Sequence, residues 1–171
     1  MTKFISVPLA AVVDSGTTTA TTANKLTQSG QNFLTTVKVG DIVNNTTDSV
    51  SAVVTAVDSD TVLSISADVV PTAKAFVIYS ATVTVDQIIA AAGAILVQQA
   101  TAGTTTISYG SGSTGTDILT ITHSFLASGS VAFRTAVQNA LIEAADKNSK
   151  PKSIFPIELP ASAAVISAAI A

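Results

Sequence analysis

Residues 30–70 read GQNFLTTVKVGDIVNNTTDSVSAVVTAVDSDTVLSISADVV. β-Branched runs of strand length recur along this stretch, at 37–39, 42–43, 50–57 and 62–67. Such side chains suit a pleated, half-buried surface. Gly40-Asp41 and Asp58-Ser59-Asp60 separate the runs with residues that tolerate tight turns. The polar positions are mostly Thr, Ser and Asn, which decorate a sheet and rarely catalyse anything alone. The stretch predicts three consecutive strands and points to a scaffold rather than a catalyst.

Composition extends this reading outward. The 171 residues are enough for one domain or two small ones with a real core. Hydrophobic residues make up 47% and charged residues 11%, well under the usual quarter, while aromatics are only 5%. Much of the apolar share is Ala and Val, which bury little area each, so backbone pairing and tight sheet packing must carry much of the stability. A surface this poor in charge must be Thr/Ser/Asn-rich or covered by partners. The net charge of −3, with scattered Lys and Arg, leaves no basic stripe for nucleic acid. Lys147, Lys150 and Lys152 form the one local cluster, read as the solvated end of a helix. With no cysteine, neither disulfides nor thiolate metal sites can form. The longest apolar run, IIAAAGAILV at 88–97, is about half of what a spanning helix needs, so no membrane partner is expected. The opening MTKFISVPLAAVV faintly imitates a secretion signal. Its single Lys3, mid-run Pro8 and missing cleavage site favour a first strand instead.

Along the chain, 3–13 reads as that opening strand and the Thr/Ala-rich 16–23 as a loop or loose edge strand. After the three-strand block, 75–80 is a further strand, with Pro71 falling between two strands where a missing amide donor does no harm. Residues 82–97 favour strand, break at 90–93, then strand over 95–99; a short helix over 86–92 capped by Asp86 competes. Residues 104–109 and 118–123 form the clearest hairpin. One long helix is written plainly over 130–147, where Phe133, Val137, Ala140, Leu141 and Ala144 recur at helical spacing, with Ser128 or Ser130 as its cap. Pro151 stops it, and 154–159 reads as a final strand. The tail 161–171 carries no charged side chain, so it must pack against this fold or a neighbour, and Val165, Ile166 and Ile170 are assigned as assembly contacts with a neighbouring subunit or a capsid shell. The expected fold is mainly β with one C-terminal helix: a small β-barrel or sandwich over 1–80, then an α+β module over 81–171.

The chemistry-bearing motifs are few. Gly110-Ser-Gly112-Ser-Thr-Gly115 spells the dinucleotide fingerprint, but that motif needs a helix after it and a strand follows here. It reads as a hairpin loop. His123, the only histidine, has no nucleophile-elbow sequence beside it, so a hydrolase using it ranks last and a backbone-bonded histidine first. One histidine without cysteine cannot hold zinc. Asp41, Asn44, Asp48, Asp58 and Asp60 could supply oxygen to calcium, yet their spacing matches no calcium loop and turn or cap roles explain all five. Asn44 and Asn45 head overlapping Asn-x-Thr sequons. Arg134 is the lone arginine. No catalytic residue, cofactor or metal is expected.

One likeness remains. Phe33, Val37, Gly40, Asp41, Val43, Asn45 and Thr47, followed by Val54, Ala56, Val57 and Asp58-Ser59-Asp60-Thr61, resemble a module of virion structural proteins of tailed bacteriophages, the marine and cyanobacterial ones especially. The Thr/Ser hairpin, the ILTITHSFLASGSVAFRTAVQNALIEAA helix region and the proline-flanked strand are similar to the C-terminal parts of such proteins. The resemblance implies a non-enzymatic virion protein, a capsid decoration (cement) subunit that binds the major capsid protein or other virion proteins and forms a homo-oligomer. A tail or head-tail connector protein is the nearest alternative. A cell-surface or carbohydrate-binding β-module is the rival from another class, though without Trp it has only Tyr79 and Tyr109 for stacking.

Overall fold

The chain is mainly β, with 54% of its residues in strands and one long helix near the C-terminal end. The computed structural model describes residues 2–110, 116–127, 129–146 and 152–170. Strands β1 (Phe4–Thr17), β2 (Ala20–Thr22) and β3 (Lys25–Thr27) come first, then a single helical turn, α1 (Phe33–Thr36). β4 (Ile42–Asn45), β5 (Val50–Ser59), β6 (Val62–Ile65) and the long β7 (Ala75–Ala90) follow. β8 (Ala94–Thr101), β9 (Thr104–Gly110) and β10 (Thr116–His123) precede α2 (Ala132–Ala145), β11 (Ile154–Pro156) and β12 (Val165–Ile170). They build one curled sheet, a half-barrel, in the order β2-β3-β6-β5-β4-β7-β1-β12-β10-β9-β8, with β11 beside β1.

β1 and β7 are its spine, antiparallel from Phe4↔Ala90 to Thr17↔Ala75 with register shifts between Leu9 and Asp14. Two cores form along this spine. The first gathers Leu26, Phe33, Val43, Val54, Leu63 and Phe76, where Phe33 of α1 meets Phe76 at 6.5 Å. In the second, α2 lays Phe133, Val137 and Ala140 over Ile5, Val7, Ile107, Leu119, Ile121 and Val165 of the sheet. Each buried aliphatic of this size contributes roughly 1.5–3 kcal/mol. Ile42, Tyr79 and Ala164 make a small third cluster. The first core draws on residues 26–78 and the second on both ends of the chain, while β7 runs unbroken across position 80.

The structure departs from several sequence expectations. Residues 37–39 are not a strand. Phe33 and Val37 are spaced four apart, and both drop into the first core while α1 forms between them. The amides beyond α1 are satisfied without a ladder: Lys38 N donates to Asp41 Oδ2 at 2.8 Å and Gly40 N to the Val54 carbonyl at 2.9 Å. Gly40 holds a φ of +99°, which favours glycine. Over 86–90 the favoured strand holds against the competing helix, because β1 pairs with it, Ile5 opposite Ile89, and 91–93 form the break before β8. The α2 cap is Val131 rather than Ser130, whose Oγ only accepts from Ala132 N at 3.4 Å; Ser128 lies outside the described residues. Leu141 is half-buried beside the fully buried stripe. β11 stops at Pro156, short of 159. Lys147 and Lys150 lie outside the described residues, while Lys152 pairs with Glu143 at 3.2 Å and sits over the Phe155 ring.

The apolar tail takes a place in the chain's own sheet. β12 pairs antiparallel with β10 and meets β1 in parallel at Leu9↔Val165. Val165 is wholly buried in the second core and Ile166 packs on the third cluster. Ile170, 67% exposed, is the one of the three free to face a neighbour.

Candidate functional site

Where the two cores adjoin, an open cleft of about 790 Å³ separates the β4–β5 turn from the start of α2. Its floor is stitched by side chain to backbone. Asn44 Oδ1 accepts from Phe125 N at 3.1 Å, and Ser51 Oγ donates to the Phe125 carbonyl. Gly103 permits the close approach behind it, since a Cβ there would meet the Phe125 ring at 3.0 Å. Hydroxyls of Ser49, Ser51, Ser66, Thr101, Ser130 and Ser162 share the lining with Val50, Val69, Phe125 and Leu126. Arg134 is the one charged residue among the described ones that line it. No described acid forms an ion pair with this guanidinium, and its Nε is shut from solvent without a hydrogen-bond partner. Leaving such a donor unmade costs about 1–3 kcal/mol. The start of α2 reinforces the positive character, with neither a side-chain cap nor an acid in its first turn.

His123 lies behind this cleft, not in it. Its ring is 1% exposed and stacks on Phe133, with centroids 4.2 Å apart. Nδ1 is 2.8 Å from the Ser124 carbonyl, a position only a donor suits, so the neutral ring carries its proton there. Nε2 then accepts from Gln99 Nε2 at 3.3 Å, and Thr105 Oγ1 donates to Gln99 Oε1 at 3.0 Å. Thr105 is also wholly buried, and Ser124 Oγ donates to the Ser162 carbonyl, so the geometry holds these groups as a structural network. Burial holds the His123 pKa below the usual histidine range, against an opposing pull from the Ser124 carbonyl.

That shift has a measurable consequence. The unfolded chain takes up a proton near pH 6.5 and the folded chain only at lower pH. The histidine's contribution is therefore intact above about pH 6.5 and is lost as pH falls toward the folded pKa. The melting temperature is expected to drop as pH falls below about 6.5, and the drop should vanish in His123→Gln, since no other histidine is present. An equal drop in the variant would assign it to other groups.

Comparison with protein-family models, curated proteins and solved structures returns no match.

The remaining sequence candidates have local jobs. Asp41 accepts two amides, from Lys38 at 2.8 Å and Ala81 at 2.9 Å. Asp48 pairs with Lys74 and Asp58 with Lys25, and those hydrogen bonds lower both carboxyl pKa values. The Asp60 carbonyl receives Phe33 N. Among the described residues no three His, Cys, Asp or Glu gather as metal ligands. Asn44 and Asn45 are buried, so the folded chain presents neither sequon amide. In the 110–117 loop, residues 111–115 lie outside the described ones. The strands flanking them pair from Thr104↔Thr122 to Gly110↔Thr116, so strand does follow strand. No described helix is long and apolar enough to cross a membrane. Sequence reasoning passed over the cleft. Its only signal was a lone arginine four residues past the cap candidate Ser130.

Proposed function

We propose that the chain is a non-enzymatic structural subunit of a virion, a decoration (cement) protein that assembles as an oligomer on the head of a tailed phage. The observation that carries the reading is strand β8, which ends the sheet. Ala94–Thr101 contains no charge and no proline, and it leaves Ile95 and Leu96 exposed. Long edge strands of this kind are normally blunted by charge or covered, because their free backbone groups and apolar side chains invite another chain. Exposed Val83, Val85 and Ile88 on β7 and Ile170 on β12 add apolar surface in the same half of the chain. The phage-like motif of 33–61 supplies the particle as the setting for such a partner.

Ile95→Lys tests this without touching either core. The variant is expected to keep its stability to within about 0.5 kcal/mol, while the oligomer mass by light scattering falls and binding to undecorated phage heads is lost in electron micrographs. A variant that assembles and decorates like the parent would overturn the reading.

A further inference from the structure

We propose that the cleft holding Arg134 is a binding site for a carboxylate borne on an apolar stem. Its charge inventory selects the ligand class. Among the described residues Arg134 is its one charged lining residue, the start of α2 stands at its rim without a side-chain cap, and no acid lines it. This complements a single negative charge rather than a doubly charged phosphate. A guanidinium fork matches the two oxygens of a carboxylate in plane. Val50, Val69, Leu126 and the Phe125 ring supply apolar wall for the stem, and the serine and threonine hydroxyls around them can take the carboxylate's remaining lone pairs.

The unpartnered Nε points the same way. Nε is shut from solvent with its donor unused. A carboxylate approaching end-on needs only the two terminal nitrogens. A side-on approach, after rotation of the side chain, would engage Nε as well. In either mode Arg134 gains the anionic partner that no described residue supplies. The carboxylate can come from a Glu or Asp of another polypeptide or from a free organic acid.

Because Arg134 is the only arginine, its Nε–H gives one unambiguous resonance in the ¹⁵N-labelled chain. The full chain is titrated at constant ionic strength with 4-methylvalerate, and separately with the capped peptide acetyl-Ala-Glu-Ala-amide. The neutral 4-methylvaleramide and the Gln peptide serve as controls. Saturable movement of the Nε–H signal by an acid, with half-saturation roughly in the millimolar range, and none by its amide, supports the site. Tighter binding of the peptide identifies a polypeptide source, and saturation by the free acid alone a small molecule. Arg134→Gln should abolish the accompanying shifts of the Phe133 and Ser130 amides, while Arg134→Lys retains them at weaker affinity. Equal shifts from acid and amide, or no shift from either acid, would overturn the proposal, and that comparison needs no variant to fold. It is independent of whether the chain decorates a virion.

Discussion

Phe133→Ala is expected to lower the unfolding free energy by about 3–5 kcal/mol, the range for deleting a fully buried aromatic. Phe133 is wholly buried in the first turn of α2, where it belongs to the second core and carries the stacked His123 ring. Removing it opens a void between helix and sheet that close-packed β strands cannot collapse to fill. Urea unfolding should show a lower midpoint at unchanged slope. Water reaching His123 should also raise its pKa toward the ordinary value, so the pH dependence below about pH 6.5 should weaken in the same variant. A loss under about 1 kcal/mol would mean that α2 does not seat on the sheet in solution.

The second large effect is expected from a nearly isosteric change, Asn45→Asp. Asn45 is wholly buried and uses its whole amide. Nδ2 donates to Asp48 Oδ2 at 2.9 Å and to the Val69 carbonyl at 2.6 Å, while Oδ1 accepts from Thr47 N and Asp48 N at 2.9 and 3.0 Å. Aspartate keeps the acceptor but turns a second oxygen toward two others, burying a charge beside Asp48. A cost of about 3–5 kcal/mol follows for an uncompensated buried charge. The difference from the parent should shrink as pH falls toward about 4 and the new carboxyl protonates. A pH-independent loss would place its origin in packing instead.

These two residues show how legibility varied along the chain. Phe133, Val137 and Ala140 repeat at helical spacing, and helix period survives into the fold because it is set by the backbone itself. The strands of 42–67 and the hairpin around 110–117 were likewise legible, since β-branched runs between turn residues have few other outlets. The run 37–39 misled, because local β propensity was outweighed by Phe33 and Val37 entering one core and by Asp41 satisfying the free amide. Asn45 read only as a sequon head and a position of the phage-like motif, and its partner Val69 lies 24 positions away.

By itself, then, the sequence determined what is local: a mainly β chain, one C-terminal helix, and turns where Gly, Asp and Asn stand. Tertiary structure alone decided what depends on distant partners. It drew the tail into the sheet as β12, between β1 and β10, rather than leaving it for a neighbour to cover. It left β8 at an open edge, set His123 under Phe133, and placed Arg134 across a cleft from the β4–β5 turn. The physical reason is that strand pairing joins residues far apart in sequence, and propensity carries no record of which strands will meet.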